Sequence, residues 1–416
     1  MKTTVLPSAY NGTIKANPSK SVMQRVIAIA ALSSRPTVIS NVDKSKDSLA
    51  AIGVIKAMGA KVDITEYFIK VIPQNQLVNP IWNVGESGLS ARMFAPIAGL
   101  FEEEITIVGK GSLLKRPMYS VIEALKQLGL NVEHNDYLLP LKIKGRIKNF
   151  DLKLDLSSGS QLLTGLLIAM SRAGKKSIIS VKNLKSKPYI DLTSCVLTSF
   201  GNRIVNNDYK RFEVNGDSIL GRDEFEVEGD WSGVAFHLVG AAISGRIEIA
   251  GLNPNSKQSD KAILDVLHMA GARIKIESNT VVVEENKLKS FEFDATDAPD
   301  LFPPLAALAV FCEGISKIKG VSRLKHKESD RYSTIKEEFE KIGVKVERQG
   351  DFMLVHGGTI PKGAKVHSHN DHRIAMMLGI IGLKSSGEIE IEKSECIAKS
   401  YPGFFEDYVV LGGKTK

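Results

Sequence analysis

The chain has 416 residues, of which 43% are hydrophobic and 25% charged, a composition typical of globular proteins with two or three domains. It contains no apolar run of about 18 residues, and its three widely spaced cysteines argue against a disulfide framework and against a zinc site. The net charge is +8, but lysines and arginines are interspersed with acids and aromatics make up only 6%. This pattern favours small anionic ligands over nucleic acid. Because the N-terminus lacks a leader pattern, we expect a cytoplasmic protein.

A helical segment, a glycine and a short β-like segment recur along the chain. The glycines are Gly59, Gly129, Gly201, Gly271 and Gly343, spaced 70, 72, 70 and 72 residues apart by subtraction. Apolar residues four and one positions before each glycine form one helix face, and the glycine is predicted to end the helix in the left-handed conformation. A degenerate sixth copy is expected at 404–412. The chain is therefore predicted to contain about six α/β units of about 70 residues, which must associate to bury a core.

In the first half, small polar and basic residues precede apolar helical runs. These residues are Lys20, Ser21 and Arg25, then Gly88 in a glycine pair, then Ser160 with Gln161, and then Ser186 ahead of Pro188. Free backbone N–H groups at a helix start can bind an anion, and nearby hydroxyl and cationic groups add donors. For each motif taken singly, helix capping is about as good an explanation as an anion-binding site, or a better one.

The second half repeats this arrangement. Asp300 precedes the apolar run 305–311, where a helix cap is the simpler interpretation of a single aspartate. Lys327 and Arg331 are four residues apart and would share a helix face, although a solvated charge run would look similar. Arg373 and Lys399 also lie next to helix starts or apolar segments.

Taken together, these motifs resemble the 5-enolpyruvylshikimate-3-phosphate synthase family, the 3-phosphoshikimate 1-carboxyvinyltransferases. The matching motifs run in the family's order from Lys20 to Lys399: Ser19-Lys20-Ser21 with Arg25, Ser87-Gly88 with Arg92, Arg116-Pro117-Met118, Ser160-Gln161, Ser186-Lys187-Pro188-Tyr189-Ile190-Asp191, Pro299-Asp300, Lys327-Glu328-Ser329-Asp330-Arg331, Asn370-Asp371-His372-Arg373 and Ala398-Lys399. Single short motifs are weak, but the motifs 327–331 and 370–373 together are highly specific.

The resemblance implies an α/β fold of two globular domains, each built from three similar βαβαββ-like units, with the active site in the interdomain cleft. We expect domain I to comprise residues 1–13 and 228–416, and domain II residues 14–227. The implied reaction transfers the enolpyruvyl group of phosphoenolpyruvate to the 5-hydroxyl of shikimate 3-phosphate and releases phosphate. No metal, organic cofactor, nucleic-acid partner or membrane partner is implied, and we expect a monomer whose domains close on two small anionic substrates.

The resemblance also implies roles for individual residues. Shikimate 3-phosphate would contact Lys20, Ser21, Arg25, Ser160, Gln161, Ser186, Asp300 and Lys327. Phosphoenolpyruvate, and the family inhibitor glyphosate in its place, would lie among Lys20, Gly88, Arg116, Gln161, Arg331, Arg373 and Lys399. Asp300 would take the proton of the 5-hydroxyl, Glu328 would serve as acid and base at C3 of phosphoenolpyruvate, and Lys20 would share in proton transfer.

Three positions depart from the family pattern. Leu89 stands where many members have Thr, and Asn17-Pro18 stands where Pro-Gly is usual. Gly159 replaces a serine of the phosphate motif, so Ser158 or the Gly159 N–H would have to supply that contact.

Two other functions remain open at this point. The sister family that transfers enolpyruvyl to UDP-N-acetylglucosamine carries a Lys-Asn pair near its N-terminus and usually a loop cysteine in its first half. Here Ser21 follows Lys20, and no cysteine precedes Cys195. A nucleic-acid-binding protein of repeated α/β units fits the basic charge but not the scarcity of aromatics.

Overall fold

The computed structural model describes residues 1–74, 76–217 and 220–416, and the chain divides into two compact units. Unit 1 comprises Met1–Ser19 and Glu228–Lys416, and unit 2 comprises Lys20–Val227. The boundary expected from sequence, between 13 and 14, falls inside the strand Tyr10–Lys15, which pairs with a strand of unit 1. The assignment of the two units as independent domains stays a prediction.

The helices and strands follow one another in a repeating order. Unit 1 begins with β1 (Lys2–Leu6) and β2 (Tyr10–Lys15). Unit 2 then contains α1 (Lys20–Ala31), β3 (Thr37–Ser40), α2 (Lys46–Ala57), β4 (Lys61–Ile64), β5 (Phe68–Ile72), β6 (Ile81–Asn83), α3 (Gly88–Ala98), β7 (Ile105–Val108), α4 (Tyr119–Gln127), β8 (Asn131–Asn135), β9 (Leu138–Lys144), β10 (Asp151–Asp155), α5 (Gln161–Met170), β11 (Ser177–Lys182), α6 (Pro188–Ser199), β12 (Val205–Asn207), β13 (Arg211–Val214) and β14 (Glu224–Glu226).

The chain then returns to unit 1. This part contains α7 (Trp231–Ile243), β15 (Gly245–Ala250), α8 (Ile263–Ala270), β16 (Arg273–Glu277), β17 (Thr280–Glu284), β18 (Glu292–Asp294), α9 (Phe302–Val310), β19 (Ile315–Lys319), α10 (Arg331–Lys341), β20 (Val346–Gln349), β21 (Phe352–His356), β22 (Ala364–His367), α11 (His372–Gly382), β23 (Ile389–Glu392), α12 (Phe404–Val410) and β24 (Lys414–Thr415).

The described residues form six four-stranded sheets with one common pattern. Unit 2 holds β14-β3-β5-β4, β6-β7-β9-β8 and β10-β11-β13-β12, and unit 1 holds β2-β15-β17-β16, β18-β19-β21-β20 and β22-β23-β1-β24. In each sheet the first pair in this order is parallel and the other two pairs are antiparallel. This confirms the six βαβαββ-like units. The strand before each passage pairs with a strand distant in sequence: β2 pairs with β15, which follows the return to unit 1, and β14 pairs with β3 near the start of unit 2.

The repeat glycines adopt the conformation that the sequence predicts. Their φ angles are +114° at Gly59, +80° at Gly129, +102° at Gly201, +90° at Gly271, +82° at Gly343 and +99° at Gly412. A side chain would strain the backbone at such angles, which explains why glycine recurs there. After Gly201 the strand begins only at Val205, later than the sequence pattern predicts.

Each unit has its own hydrophobic core, formed around helices that are buried on nearly all sides. These helices are α1, α3 and α5 in unit 2 and α7, α9 and α11 in unit 1. Helices that are apolar all round must be buried, whereas an amphipathic helix such as α4 covers the core with one face. None of the described helices combines the length and apolarity needed to cross a bilayer.

His237 lies in the core of unit 1. Its ring is fully buried, its Nδ1 lies 3.0 Å from the Tyr10 hydroxyl, and it stacks on Phe404 with 4.7 Å between ring centroids. Burial lowers the pKa of His237 from 6.5 to about 3. The imidazole is therefore neutral in the folded protein at pH values where the unfolded chain is protonated.

This burial predicts a pH dependence of stability. Between about pH 6.5 and 3 the unfolded chain binds one proton more at His237, so the free energy of unfolding falls with decreasing pH by up to about 1.4 kcal/mol per pH unit. His237→Gln keeps an acceptor for Tyr10 but does not titrate. Urea unfolding at several pH values from 6.5 to 4 gives the free energy of unfolding as a function of pH. The slope of this free energy against pH should be smaller in the variant by the equivalent of about one proton, and equal slopes would contradict the prediction.

Candidate functional site

The motifs of unit 2 lie at the beginnings of its buried helices. Helix α1 begins at Lys20, α3 at Gly88 and α5 at Gln161, while α6 begins at Pro188. The first N–H groups of a helix lack intrahelical acceptors and lie at the positive end of its dipole. The motifs therefore lie at helix starts, as the sequence predicts. Each of these helix starts is suited to bind an anionic ligand.

Lys20 forms an ion pair at the beginning of α1. Its Nζ lies 3.1 Å from Oδ2 of Asp47, and the two side chains are 16% and 6% exposed. Asp47 lies in the first turn of α2, where an acid by itself suggests only an interaction with the helix dipole. Sequence reasoning therefore missed Asp47, which holds the Lys20 ammonium in place.

Arg25 is buried on α1, with only 2% of its surface exposed. Its Nε donates to Thr193 Oγ1 at 2.9 Å and its Nη2 to Thr164 Oγ1 at 3.3 Å. Its Nη1 donates to the Ser21 carbonyl at 2.7 Å and its Nη2 to the Tyr189 carbonyl at 3.4 Å. Within the described ranges these acceptors are all neutral oxygens, and Arg25 has no carboxylate partner.

Among the residues that the structure describes, no carboxylate compensates the buried positive charge of Arg25. Burial lowers the pKa of Arg25 to about 10, and Tyr189 opposes this shift without cancelling it. The guanidinium therefore stays charged at neutral pH. Isolated buried charges are costly and are normally paired. An anionic ligand would supply the missing partner. The same contacts join α1 to α5 and α6, and Arg25 also contacts Ser21 in the first turn of α1.

Gly88 and Arg116 are in direct contact. A Cβ added at Gly88 would lie 2.7 Å from Nη1 and 2.9 Å from Nη2 of Arg116, so only glycine leaves room for this guanidinium. Arg92 donates to the carbonyls of Gly88 and Pro117, each at 3.1 Å, and thereby ties the start of α3 to the segment that carries Arg116. The structure thus brings two predicted phosphoenolpyruvate residues together.

The segment before α5 departs from the family pattern, as its sequence indicates. Gly159 has a φ of +133°, and its N–H donates to the Leu156 carbonyl at 3.0 Å. This N–H is therefore engaged in a turn of the chain. Ser158 Oγ lies 3.4 Å from Ser120 Oγ. Ser186 is buried with a φ of +57°, an uncommon backbone conformation for a non-glycine residue that is often found at functional sites.

In unit 1, Asp300 is an ion-pairing residue and not a helix cap. It lies inside the 3₁₀ turn Pro299–Leu301 that precedes α9, and Leu301 occupies the cap position of that helix. Asp300 Oδ1 lies 3.1 Å from Lys327 Nζ and 2.8 Å from Arg331 Nη1, and Oδ2 lies 3.1 Å from Arg373 Nη2. The simpler interpretation of Asp300 as a cap is therefore wrong.

Arg331 lies at the centre of the unit 1 cluster. It is 1% exposed and pairs with Asp371 Oδ2 at 2.8 Å and with Glu328 Oε2 at 2.7 Å, in addition to Asp300. Asp371 is fully buried, caps α11 by accepting from the Arg373 N–H, and also accepts from Ser329. The sequence does not indicate the pairing of Asp371 with an arginine 40 residues away.

Glu328 connects this cluster to Lys399. Its Oε1 lies 3.4 Å from Lys399 Nζ while its other oxygen accepts from Arg331, and both side chains are largely buried. All predicted residues of the second half, namely Asp300, Lys327, Glu328, Arg331, Arg373 and Lys399, therefore form one network of alternating charges.

These pairs change the proton affinities of the cluster. Burial by itself would raise the pKa of Asp300, but Arg373, Lys327 and Arg331 outweigh it and hold that pKa well below its ordinary value of 3.8. Burial lowers the pKa of Lys327, although Asp300 opposes the shift. The carboxylates raise the pKa of Arg331 despite its burial.

Asp260 is a neighbouring carboxylate that sequence reasoning did not identify. It is fully buried and accepts a hydrogen bond from Ser232 Oγ at the start of α7. Burial and the nearby charge of Asp300 both raise its pKa. No motif in the sequence distinguishes Asp260 from an ordinary polar residue before a helix.

Among the described residues, Glu337, Glu338 and His369 form a group with metal-ligand geometry. Lys341 Nζ donates to Glu338 Oε1 at 2.7 Å, and His369 Nε2 lies 2.6 Å from the same oxygen. Because an ammonium already neutralises this carboxylate, the group is an ion-paired cluster. Glu338 also accepts from the His367 N–H at 2.9 Å and so holds the turn that leads to α11.

Comparisons with known proteins agree with the sequence motifs. The profile of the family "EPSP synthase (3-phosphoshikimate 1-carboxyvinyltransferase)" matches residues 6–408. A 3-phosphoshikimate 1-carboxyvinyltransferase of Clostridium botulinum is 34% identical over 419 residues, covering 98% of this chain and 97% of that protein. One from Clostridium kluyveri is 35% identical over 411 residues, covering 98% and 96%.

Solved structures share the fold at lower sequence identity. EPSP synthase of Acinetobacter baumannii matches with a TM-score of 0.82 and 23% identity, covering 100% of this chain and 99% of that one. The enolpyruvyl transferase NikO of Streptomyces tendae matches with a TM-score of 0.78 and 16% identity, covering 100% and 98%. The fold is therefore that of enolpyruvyl transferases. The nearly complete profile match and the full-length relatives place the chain in the EPSP synthase (3-phosphoshikimate 1-carboxyvinyltransferase) family.

Proposed function

We propose that this protein transfers the enolpyruvyl group of phosphoenolpyruvate to the 5-hydroxyl of shikimate 3-phosphate and releases phosphate. The observation that carries the proposal is Arg25, a buried guanidinium on α1 whose hydrogen-bond partners among the described residues are all neutral oxygens. Such a group binds an anion strongly, because the ligand removes the cost of an unpaired buried charge. Shikimate 3-phosphate carries both a carboxylate and a phosphate.

The other substrate fits the remaining cations. Phosphoenolpyruvate also has a carboxylate and a phosphate, which arginine side chains bind through paired N–H groups. The proposal assigns these groups to Arg116 beside Gly88 in unit 2 and to Arg331, Arg373 and Lys399 in unit 1. Lys20 and Gln161 complete this set, and Ser21, Ser160, Ser186 and Lys327 complete the set for shikimate 3-phosphate.

The reaction needs two proton transfers. The 5-hydroxyl must lose its proton to attack C2, while C3 of phosphoenolpyruvate gains a proton as C2 becomes electron-poor. The product retains a double bond, so C3 must later lose a proton as phosphate leaves. In the proposal Asp300 accepts the hydroxyl proton, Glu328 exchanges the proton at C3, and Lys20 assists.

The ion pairs of Asp300 give this base a dependence on substrate. With its oxygens accepting from Lys327, Arg331 and Arg373, the carboxylate has a low proton affinity. When the anionic groups of phosphoenolpyruvate engage the two arginines, Asp300 loses part of this stabilisation and its proton affinity rises. The base then becomes effective when both substrates are present.

Phosphate release tests the proposed function directly. The purified protein is mixed with phosphoenolpyruvate and either shikimate 3-phosphate or UDP-N-acetylglucosamine. We expect stoichiometric phosphate release with the former and none above background with the latter. Phosphate release only in the mixture that contains UDP-N-acetylglucosamine would assign the chain to the sister reaction.

Gly88→Ala should weaken inhibitor binding more than substrate binding. The new methyl must displace the Arg116 guanidinium, which it would otherwise approach to 2.7 Å. Glyphosate has one more atom between its carboxylate and its phosphorus than phosphoenolpyruvate has, so it tolerates the lost space less well. We expect its inhibition constant to rise about tenfold more than the KM for phosphoenolpyruvate, within the usual cost of overpacking.

Gly53→Ala is the matched control for this substitution. Gly53 lies within α2 of the same unit, and a Cβ there would have nothing within 4 Å. In Gly53→Ala, the inhibition constant of glyphosate and the KM for phosphoenolpyruvate should stay at the wild-type values. An unchanged inhibition constant in Gly88→Ala would mean that Gly88 acts only in the turn.

The proposal also includes a cytoplasmic monomer in which units 1 and 2 act as the two domains of the family. Size-exclusion chromatography with light scattering at several protein concentrations tests the monomer. A mass of two chains that persists on dilution would contradict it.

A further inference from the structure

Two buried threonines hold the Arg25 guanidinium. Thr164 on α5 and Thr193 on α6 are fully buried, and their Oγ1 atoms lie 2.9 Å apart. Arg25 Nε donates to Thr193 Oγ1 at 2.9 Å, and Nη2 reaches Thr164 Oγ1 at 3.3 Å. The two hydroxyls therefore contact adjacent N–H groups on one edge of the guanidinium plane.

The direction of each hydrogen bond follows from the number of protons available. A threonine hydroxyl has one proton and two lone pairs. Thr193 donates its proton to the Tyr189 carbonyl at 2.8 Å, so it must accept from both Arg25 and Thr164. Thr164 is then the donor in the contact between the threonines and keeps its lone pairs for Arg25 Nη2. Every hydroxyl proton in this group has an acceptor, and the group carries no negative charge.

This arrangement differs from that of the buried arginine in unit 1. Arg331 is held by the carboxylates of Asp300, Glu328 and Asp371, which compensate its charge as well as orienting it. Thr164 and Thr193 can orient Arg25 but cannot neutralise it. Neutral acceptors are what a site needs if the arginine is to keep its charge for a ligand.

We propose that Thr193 and Thr164 are positioning residues that fix the Arg25 guanidinium while leaving its charge available to an anionic group of shikimate 3-phosphate. This inference rests on the proposed function. It makes the chemistry of the threonines, and not only the presence of Arg25, a determinant of affinity for this substrate.

The inference predicts different effects for hydroxyl loss and for added charge. Thr193→Val has nearly the same shape but leaves Arg25 Nε without its acceptor, and affinity for shikimate 3-phosphate should fall about 10–100-fold. Thr193→Ser keeps the hydroxyl and should stay within about threefold of the wild type. Thr193→Asp supplies an acceptor but neutralises Arg25, so its affinity should fall further than that of Thr193→Val.

Thr37→Val is the matched control. Thr37 lies on β3 of unit 2 and is also fully buried. Its hydroxyl donates to the Arg222 carbonyl at 2.6 Å. Thr37→Val is the same type of substitution as Thr193→Val and also removes a buried hydrogen bond. Thr37, however, has no hydrogen bond to Arg25. Its affinity for shikimate 3-phosphate should equal that of the wild type.

The experiment is isothermal titration of each full-length variant with shikimate 3-phosphate, combined with thermal melts and steady-state kinetics. In Thr193→Val, KM for shikimate 3-phosphate should rise while kcat stays within about twofold, a separation that a general loss of folding would not produce. Thr164→Val is the second variant if Thr193→Val does not fold, with the same expected direction.

Wild-type affinity in a folded Thr193→Val, or Thr193→Ser binding as weakly as Thr193→Val, would overturn the positioning role. Equal affinities in Thr193→Asp and Thr193→Val would overturn the role of charge. Absence of binding by the wild-type protein would instead overturn the proposed function.

Discussion

Asp300→Asn is expected to lower kcat by about 10²–10⁴-fold, the usual contribution of a general base. An amide cannot accept the proton of the 5-hydroxyl, although it can still accept hydrogen bonds. The same substitution should lower the stability of the ligand-free protein by about 1–3 kcal/mol, because Lys327, Arg331 and Arg373 lose a shared anion. This range allows for the 27% exposure of the Asp300 side chain.

The stability effect should depend on pH in a defined direction. The folded-state pKa of Asp300 is depressed, so its stabilising contribution is present above the ordinary value of 3.8 and is lost as the pH falls through the folded-state pKa. The difference in unfolding free energy between wild type and Asp300→Asn should be constant from pH 5 to 8 and shrink below about pH 4. A difference that grew on acidification would contradict the ion-pair assignment.

Asp294→Asn is the control for these measurements. Asp294 lies in the same unit and pairs with Lys319, but both side chains are about half exposed. An exposed pair contributes little, so stability should change by less than about 1 kcal/mol and kcat should not change. A wild-type kcat in Asp300→Asn with a normal melt would remove Asp300 from the mechanism and shift the base role to Lys20 or Glu328.

Arg25→Met is expected to reduce affinity for shikimate 3-phosphate by about 100-fold or more without loss of stability. Four of the five N–H groups of Arg25 already donate within unit 2, so the substitution removes one charge-assisted hydrogen bond to the ligand, worth about 1.5–3 kcal/mol, together with the attraction of the guanidinium charge. Folding, in contrast, no longer has to bury an unpaired guanidinium, so the melting temperature should be equal to or higher than that of the wild type.

Arg331→Met gives the opposite result for stability and serves as the comparison. Arg331 is as buried as Arg25, but its removal leaves the fully buried Asp371 without its cationic partner. Loss of one member of a buried pair costs about 3–5 kcal/mol. Thermal melts and binding isotherms of both variants test the difference, and equal destabilisation by the two substitutions would show that the charge of Arg25 is compensated.

Much of the fold follows from local sequence patterns. The glycines at 59, 129, 201, 271 and 343 predict the helix ends, and their positive φ angles confirm them, because few other residues adopt this conformation without strain. The apolar runs and their polar starts place the buried helices. The short strands are less well defined, as the late start of β12 at Val205 shows.

The sequence by itself determined which residue types stand at the helix starts, the six-fold repeat and the family, because these depend on backbone conformation and on ordered motifs along the chain. Only the tertiary structure decided how each charge is compensated. It pairs Lys20 with Asp47 and Arg331 with Asp371, turns Asp300 from an expected cap into a shared counter-ion, and surrounds Arg25 with neutral oxygens. These partners lie many residues apart, and the strength of a charge depends on burial and on neighbours that only the packed helices bring into contact.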